Sequence, residues 1–370
     1  MSSFNLNPVE KTIHTPEPEQ AEDGIHLINE GAYGCIYHPG IACDGKLENT
    51  EYITKIQRKT AITENEHAIA ERVKEISDYR DFFAPITKQC PVKIARKYVD
   101  KIQQCAVFKN ESEEEIVRSD YISNKIRFLG DQNLKKYLAN DTTDESVFCK
   151  KTINTTIHLL RGVKKLTQSR LVHLDIKYGN VMVYKEKPIF IDFGVSIDLD
   201  NIQSNAFYVY DTYMPWCFDI FVCCFIVQEK KQSVKVSDAT IKQLVHEFQH
   251  GTKRKDGATS NDIFLFCPHA LKTSFIHSLA TYLEKFKGEP WSAVYDHLIE
   301  HTTHTWDVYG VATMYLNLLH QFSDRLVEDY TDYKEILEEV VYSTPDKRPN
   351  VYDTLAAILK IQKQTNHRKK

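Results

Sequence analysis

No uninterrupted apolar run in the 370 residues reaches the roughly 20 residues that a membrane-spanning helix requires. The most apolar stretch, Met214 to Val227, is broken by Asp219 and reads as a buried helix, with Cys223 and Cys224 inside it as small hydrophobes. An excess of basic charge is also missing. Lys and Arg number 47 against 51 Asp and Glu, a net charge of -4, so no nucleic-acid partner is expected, although His367-Arg368-Lys369-Lys370 is locally basic. The nine cysteines are odd in number and lack paired C-x-x-C spacings, which speaks against a secreted disulfide framework and for a reducing, cytoplasmic compartment. Residues 1–23 lack the basic-then-apolar order of a signal peptide and read as a flexible leader carrying Pro16 and Pro18 among acidic residues. Internal repeats and low-complexity tracts are absent.

What is present suffices for a large core, since 42% of the residues are hydrophobic. From Gly24 to about Ile126 short β-favouring runs dominate: Ile25 to Ile28, Gly34 to Tyr37 and Tyr52 to Ile56. One helix interrupts them at Glu64 to Ile76, with Ile69, Val73 and Ile76 on one face. Beyond Gly130 the pattern turns helical, at Asn133 to Ala139 and Lys151 to Gln168. A hairpin then follows, pairing Val181-Met182-Val183-Tyr184 with Pro188-Ile189-Phe190-Ile191. After residue 215 helices prevail, and Lys253 to Asn261 has the composition of an exposed loop. The class is therefore α+β, with a small strand-rich part before a larger helical one.

Chemistry-bearing residues cluster around the hairpin. His173, Asp175, Lys177 and Asn180 precede it, and Asp192-Phe193-Gly194 follows. Phosphoryl transfer needs such parts: a carboxylate to orient the attacking hydroxyl, a cation beside the phosphoryl group, and oxygen ligands for a metal. The stretch resembles the catalytic loop H-R-D-x-K-x-x-N and the D-F-G motif of eukaryotic-type protein kinases. By that resemblance Asp175 would receive or orient the hydroxyl proton and Lys177 would neutralise the phosphoryl group, with Asn180 and Asp192 holding Mg2+. Lys177 favours the serine/threonine class over tyrosine kinases, and it speaks against small-molecule kinases.

Further motifs follow the kinase order. Asn29-Glu30-Gly31-Ala32-Tyr33-Gly34-Cys35-Ile36 resembles the glycine-rich loop over ATP, with Asn29 at the first glycine position, where Asn tolerates a positive φ. Tyr52-Ile53-Thr54-Lys55 is similar to the strand whose lysine meets the α and β phosphates. Glu66 is the better partner for Lys55 on the following helix, with Glu71 as a rival. The cofactor-binding set implied for ATP is thus Asn29, Gly31, Gly34, Ile36, Lys55 and Glu66. Backbone groups near Arg127 to Leu129 would meet adenine. Trp306-Asp307-Val308-Tyr309-Gly310 resembles the helix whose aspartate braces the catalytic loop, and Pro345-Asp346-Lys347-Arg348-Pro349 the D-x-x-R-P element.

The resemblance implies a two-lobed kinase-like fold: an N-lobe at 24–129 and a C-lobe at 130–370 with a helical insertion at about 216–305, a site for a partner. It implies a protein substrate bearing Ser or Thr. Three departures stand out. Leu174 replaces the arginine that usually receives an activation-loop phosphate, which implies activity independent of that phosphate. Met214-Pro215-Trp216 stands for A-P-E, so Arg348 lacks its usual glutamate and needs another partner or is exposed. The insertion is the third. Gly31 to Pro39, with Phe83-Ala84-Pro85-Ile86 and Cys90, is particularly similar to serine/threonine kinases of nucleocytoplasmic large DNA viruses, which implies host cytoplasm or the virion. Two alternatives accompany the active kinase: an ATP-binding pseudokinase scaffold, and a zinc metalloprotease through His246-Glu247-Phe248-Gln249-His250, which fits H-E-x-x-H.

Overall fold

The computed structural model describes residues 24–31, 34–140, 145–202, 206–207, 212–251, 261–265, 267–322 and 330–367. The leader, Ala32 and Tyr33 of the glycine-bearing loop, the loop from Lys253 to Ser260 and the terminal Arg368-Lys369-Lys370 lie outside the described residues. Two compact units divide the chain: Met1–Glu75 with Ala84–Leu129, and Ile76–Phe83 with Gly130–Lys370. Sheet dominates the first and helix the larger second, so the α+β class and the kinase-like fold hold.

In the first unit the order is β1 (His26–Glu30), β2 (Gly34–His38), β3 (Tyr52–Gln57), α1 (Ala61–Lys74), β4 (Ile86–Val92), α2 (Val99–Gln103), α3 (Glu113–Arg118) and β5 (Tyr121–Arg127). The strands form one antiparallel sheet in the order β1-β2-β3-β5-β4. Strands β4 and β5 were not expected from the sequence. Pro91 masks β4, and its place at the sheet edge explains why a proline is tolerated there. Helix α1 starts earlier than its apolar stripe suggests, because Thr60 and Thr63 cap it reciprocally. Its buried face is Thr63, Glu66, Ile69, Ala70 and Val73. Between β4 and β5 the α2–α3 segment sets Tyr98, Ile102, Phe108 and Ile116 into one core with Tyr37 and Ile56 of the sheet. Phe108 and Tyr121 meet edge to face at 5.3 Å.

Four of the nine cysteines are paired, which corrects the expectation of a chain without disulfides. Cys35 of β2 joins Cys105 beyond α2, and Cys43 joins Cys90 of β4. Their separations of 70 and 47 residues leave no local spacing to read. Only the packing of the α2–α3 segment on the sheet brings the buried Cys35 and Cys105 together. Loops of this size are worth about 4 kcal/mol each by chain-entropy arithmetic. Alkylation under denaturing conditions should label the five cysteines Cys149, Cys217, Cys223, Cys224 and Cys267 before reduction and all nine after it. Nine labels at the outset would show that the bridges do not form.

The second unit contains α4 (Leu134–Ala139), α5 (Glu145–Gln168), β6 (Leu171–Val172), β7 (Val181–Tyr184), β8 (Lys187–Phe190), β9 (Ile197–Asp198), α6 (Phe218–Gln228), α7 (Asp238–His250), α8 (His269–Glu284), α9 (Trp291–His301), α10 (Trp306–Gln321), α11 (Thr331–Val341) and α12 (Val351–His367). Helix α10 is buried at every position from Trp306 to Leu316, the signature of a central helix wrapped on all sides. Helices α5 and α11 pack against it, and α12 packs on α5 and α11. The β7–β8 hairpin rests on α5, where Gly162 leaves room for the Phe190 ring. The stretch expected as an insertion is helical, holding α6 to α9. No helix among the described residues is long and apolar enough to cross a membrane.

Candidate active site

Within the first unit β2 and β3 pair so that Ile36 faces Lys55 directly. The two side chains therefore share one face of the sheet. The Lys55 ammonium lies 3.2 and 3.1 Å from the two carboxylate oxygens of Glu66, and Gln57 adds a bond of 3.3 Å to the same carboxylate. Lys55 and Glu66 are buried, so each charge depends on the other for its place in the interior. Glu71 is exposed and meets Lys74 instead. The structure thus pairs Lys55 with Glu66 rather than with its rival.

Asn29 departs from expectation. It lies in β1 and is absent from the positions with positive φ, its side chain instead accepting from the Glu30 amide at 2.9 Å. The turn is closed further on, where the Gly31 amide donates to the Gly34 carbonyl at 2.8 Å. Gly34 is required by contact: a Cβ there would stand 2.4 Å from the Ile56 carbonyl oxygen of β3. Near the adenine expectation, the Phe128 amide is already bonded to the Glu51 carbonyl at 2.9 Å.

The second unit gathers the remaining residues at the end of β6 and on either side of the β7–β8 hairpin. Leu174 and Asp192 both adopt left-handed backbone, with φ of 66° and 63°. Non-glycine residues pay for that conformation, and it persists only where surrounding bonds over-determine it. At Leu174 those bonds are visible. Asp307 of α10 accepts from the His173 amide at 2.7 Å and the Leu174 amide at 3.0 Å, and the Leu174 carbonyl accepts from the Trp216 indole at 2.9 Å. Burial pushes the Asp307 carboxyl above its ordinary range, opposed by His173 and the two amides. One turn along α10, a Cβ on Gly310 would come within 3.0 Å of Ile176, so glycine lets the loop lie close against the helix.

His173 is buried and fixed at both ring nitrogens: Nε2 donates to the Ile191 carbonyl at 3.1 Å and Nδ1 accepts from the Asp175 amide at 3.3 Å. It thereby ties the strand entering the hairpin site to the segment leaving it. Phe193 packs on the His173 ring at 4.8 Å. Asp175 holds Asn180 at 2.7 Å and Lys177 at 3.1 Å on Oδ2, and Tyr213 at 2.6 Å on Oδ1. Because the Asn180 amide nitrogen is committed to Asp175, its amide oxygen is turned the other way. Asp192 is exposed. The structure thus brings Asp175, Lys177 and Asn180 into direct contact. Asp192 follows one residue after Ile191, whose amide donates to the Asn180 carbonyl at 3.0 Å.

The sequence reading missed two residues. Tyr213, two residues before Pro215, reaches into the Asp175 cluster. Asp219 supplies what the absent A-P-E glutamate would have given. Its carboxylate accepts from both terminal guanidinium nitrogens of Arg348, Nη1 at 2.9 Å and Nη2 at 2.8 Å, and from the Trp306 indole at 2.9 Å. Arg348 is buried, not exposed, and also donates to Thr305 at 3.0 Å. A lone aspartate in an apolar run was the available signal, since a buried charge demands a partner.

On α7, His246 and His250 lie ring to ring at 4.4 Å, while Glu247 accepts from Gln243. Among the described residues no group of three or more His, Cys, Asp and Glu side chains is placed to hold a metal ion. The H-E-x-x-H segment therefore has no third ligand there, and the protease alternative gains nothing from the structure.

Two comparisons bear on this geometry. Residues 126–214 match the RIO domain family model, about a quarter of the chain that includes the whole Asp175 cluster. The chain is also similar to the membrane-associated tyrosine- and threonine-specific cdc2-inhibitory kinase of Drosophila melanogaster, 23% identical over 209 residues. That alignment covers 55% of this chain and 33% of the relative, so the chain matches about a third of that relative's length. Together with the fold, the two matches support the protein kinase superfamily and a kinase-like function.

Proposed function

We propose that this chain transfers the γ-phosphoryl group of ATP to hydroxyl groups of proteins. The observation that carries the proposal is the Asp175 cluster: a carboxylate bonded to Lys177 and Asn180, held on a strained loop by the buried Asp307. In this reading Asp175 takes the acceptor proton and Lys177 neutralises charge on the phosphoryl group in flight. Lys55, oriented by Glu66, meets the nucleotide phosphates, and the backbone of Gly31 and Gly34 with the Ile36 side chain completes the nucleotide-binding set. Asn29 contributes through its strand position rather than through a left-handed turn.

Asn180 and Asp192 offer an amide oxygen and an exposed carboxylate, hard donors that fit Mg2+. Bound there, the ion would neutralise phosphate charge. The finer assignment, a serine/threonine kinase of the large-DNA-virus type working in host cytoplasm, rests on Lys177 and the Gly31 to Pro39 resemblance. The kinase-like match accords with protein substrates, and the helices at 216–305 remain the proposed partner surface.

The test is transfer of labelled phosphate from ATP to a generic protein acceptor. Label should appear with Mg2+, vanish with chelator, and be found on serine and threonine of the acceptor. Nucleotide binding with no transfer in Mg2+ or Mn2+ would sink this proposal and identify an ATP-binding scaffold.

A further inference from the structure

Three side-chain amides, one from each of three strands, gather behind the Lys55–Glu66 pair. Lys55, Asn124 and Gln89 stand in one row across β3, β5 and β4, each directly opposite the next in register. Gln89 donates to Asn124 Oδ1 at 2.9 Å and to the Thr63 carbonyl in the first turn of α1 at 3.1 Å. Gln57 of β3, opposite Gly34 of β2, donates to Glu66 Oε2 on the same helix at 3.3 Å. The acceptors fix how each amide is turned. A carboxylate and a backbone carbonyl can only accept, so Gln57 and Gln89 present nitrogen, and Gln89 in turn meets the oxygen of Asn124. This leaves Gln57 Oε1 and Asn124 Nδ2, on two fully buried residues, without a hydrogen-bond partner among the described residues. A buried polar atom in that condition is costly, and leucine or methionine would fill the same space without the cost. Stability is therefore not what the three amides add. They add direction: α1 is tied at Thr63 and again at Glu66, three residues on, so it can neither slide along the sheet nor roll about its axis without breaking a bond. The apolar residues of its buried face, Ile69, Ala70 and Val73, resist separation from the sheet but have no such directional hold.

We infer that Gln57, Gln89 and Asn124 are positioning residues, a polar clamp that fixes α1 where it delivers Glu66 to Lys55, so that the pair stands assembled before nucleotide arrives. The inference rests on the nucleotide-binding part of the function proposed above. The clamp acts on Lys55 only through the Glu66 carboxylate. Its effect on nucleotide binding should therefore disappear once position 66 carries no charge.

The experiment measures binding of MgATP to the full chain by calorimetry, in a cycle of Gln89→Met and Glu66→Gln. Methionine keeps the volume of Gln89 and removes its bonds to Thr63 and Asn124. In the otherwise wild-type chain Gln89→Met should weaken binding about tenfold, the scale of one or two lost hydrogen bonds, with no fall in melting temperature. In the Glu66→Gln background the same replacement should change binding by less than about twofold, since coupled residues depart from additivity. Equal weakening in both backgrounds would show a merely structural role and overturn the inference, as would no weakening in the first. Hydrogen exchange of the α1 amides, Ala61–Lys74, supplies a second readout: it should be faster in Gln89→Met and in Asn124→Leu than in wild type. Unchanged exchange in both variants would overturn the clamp even where Glu66→Gln binds too weakly to complete the cycle. Wild type that binds MgATP and transfers no phosphate would overturn the proposed function and leave this test intact; wild type that binds no MgATP would overturn both.

Discussion

Asp175→Asn should lower kcat for phosphate transfer by a factor on the order of 10² to 10⁴, the range for loss of a positioned general base. The replacement keeps the shape of the side chain and removes its capacity to take a proton. It also turns one acceptor oxygen into a donor. Three donors converge on Asp175, namely the Asn180 amide, the Lys177 ammonium and the Tyr213 phenol. Asparagine can keep its oxygen toward Asn180 and Lys177, which leaves its amide facing the Tyr213 oxygen and the phenol proton without its partner. One charge-assisted hydrogen bond is lost and the half-exposed ion pair with Lys177 loses its negative partner, a stability cost of about 2 kcal/mol. The loss of rate should therefore exceed the loss of stability, with the melting temperature modestly lowered. Steady-state transfer beside a thermal melt separates the two effects. A kcat equal to wild type would remove Asp175 from the chemistry.

The catalytic-loop residues were legible in the sequence because their functional types lie within a few positions of one another. The hairpin that presents them was legible too, from two short β-branched runs around Lys185-Glu186-Lys187. Asp307 was found through its own local motif, although its hydrogen bonds cross more than 130 residues to His173 and Leu174. What escaped were relations that only the fold creates. Cys35 and Cys105 are joined by packing of the α2–α3 segment, with no spacing to announce it. Tyr213 looked like one of many aromatics, and nothing in its neighbours in sequence says that its hydroxyl meets Asp175. Asn29 was expected to turn the chain by its tolerance of positive φ. The strand continues through it instead, and the bond between Gly31 and Gly34 closes the turn. Strand β4 was hidden by Pro91, whose missing amide matters little at a sheet edge.

Asp219→Ala should cost about 3 to 5 kcal/mol of stability, the penalty for breaking a buried ion pair from one side. Against a typical total of about 5 to 15 kcal/mol this is a large fraction. The cost arises because the Arg348 guanidinium stays behind in the interior with Thr305 as its remaining hydrogen-bond partner from the present set, and the Trp306 indole keeps only its 3.1 Å bond to Thr302. Asp219 belongs to α6 and Arg348 lies just before α12, so the pair fastens the helices of the 216–305 stretch to the rest of the second unit. Burial pushes the Asp219 carboxyl up, but the charge and hydrogen bonds of Arg348 outweigh it and leave the group below its ordinary range. An acid held lower in the folded chain than in the unfolded one stabilises the fold above its unfolded value, about 3.9, and this stabilisation is lost as pH falls toward the folded value. Acid unfolding of the wild type should include this loss, and Asp219→Ala should lack it. The double replacement Asp219→Leu with Arg348→Met removes both charges and should recover most of the stability that Asp219→Ala loses, since an apolar pair in that position leaves no charge unpaired. Denaturant melts of the two variants measure the difference, and equal losses in both would mean that shape rather than charge pairing holds α6 in place.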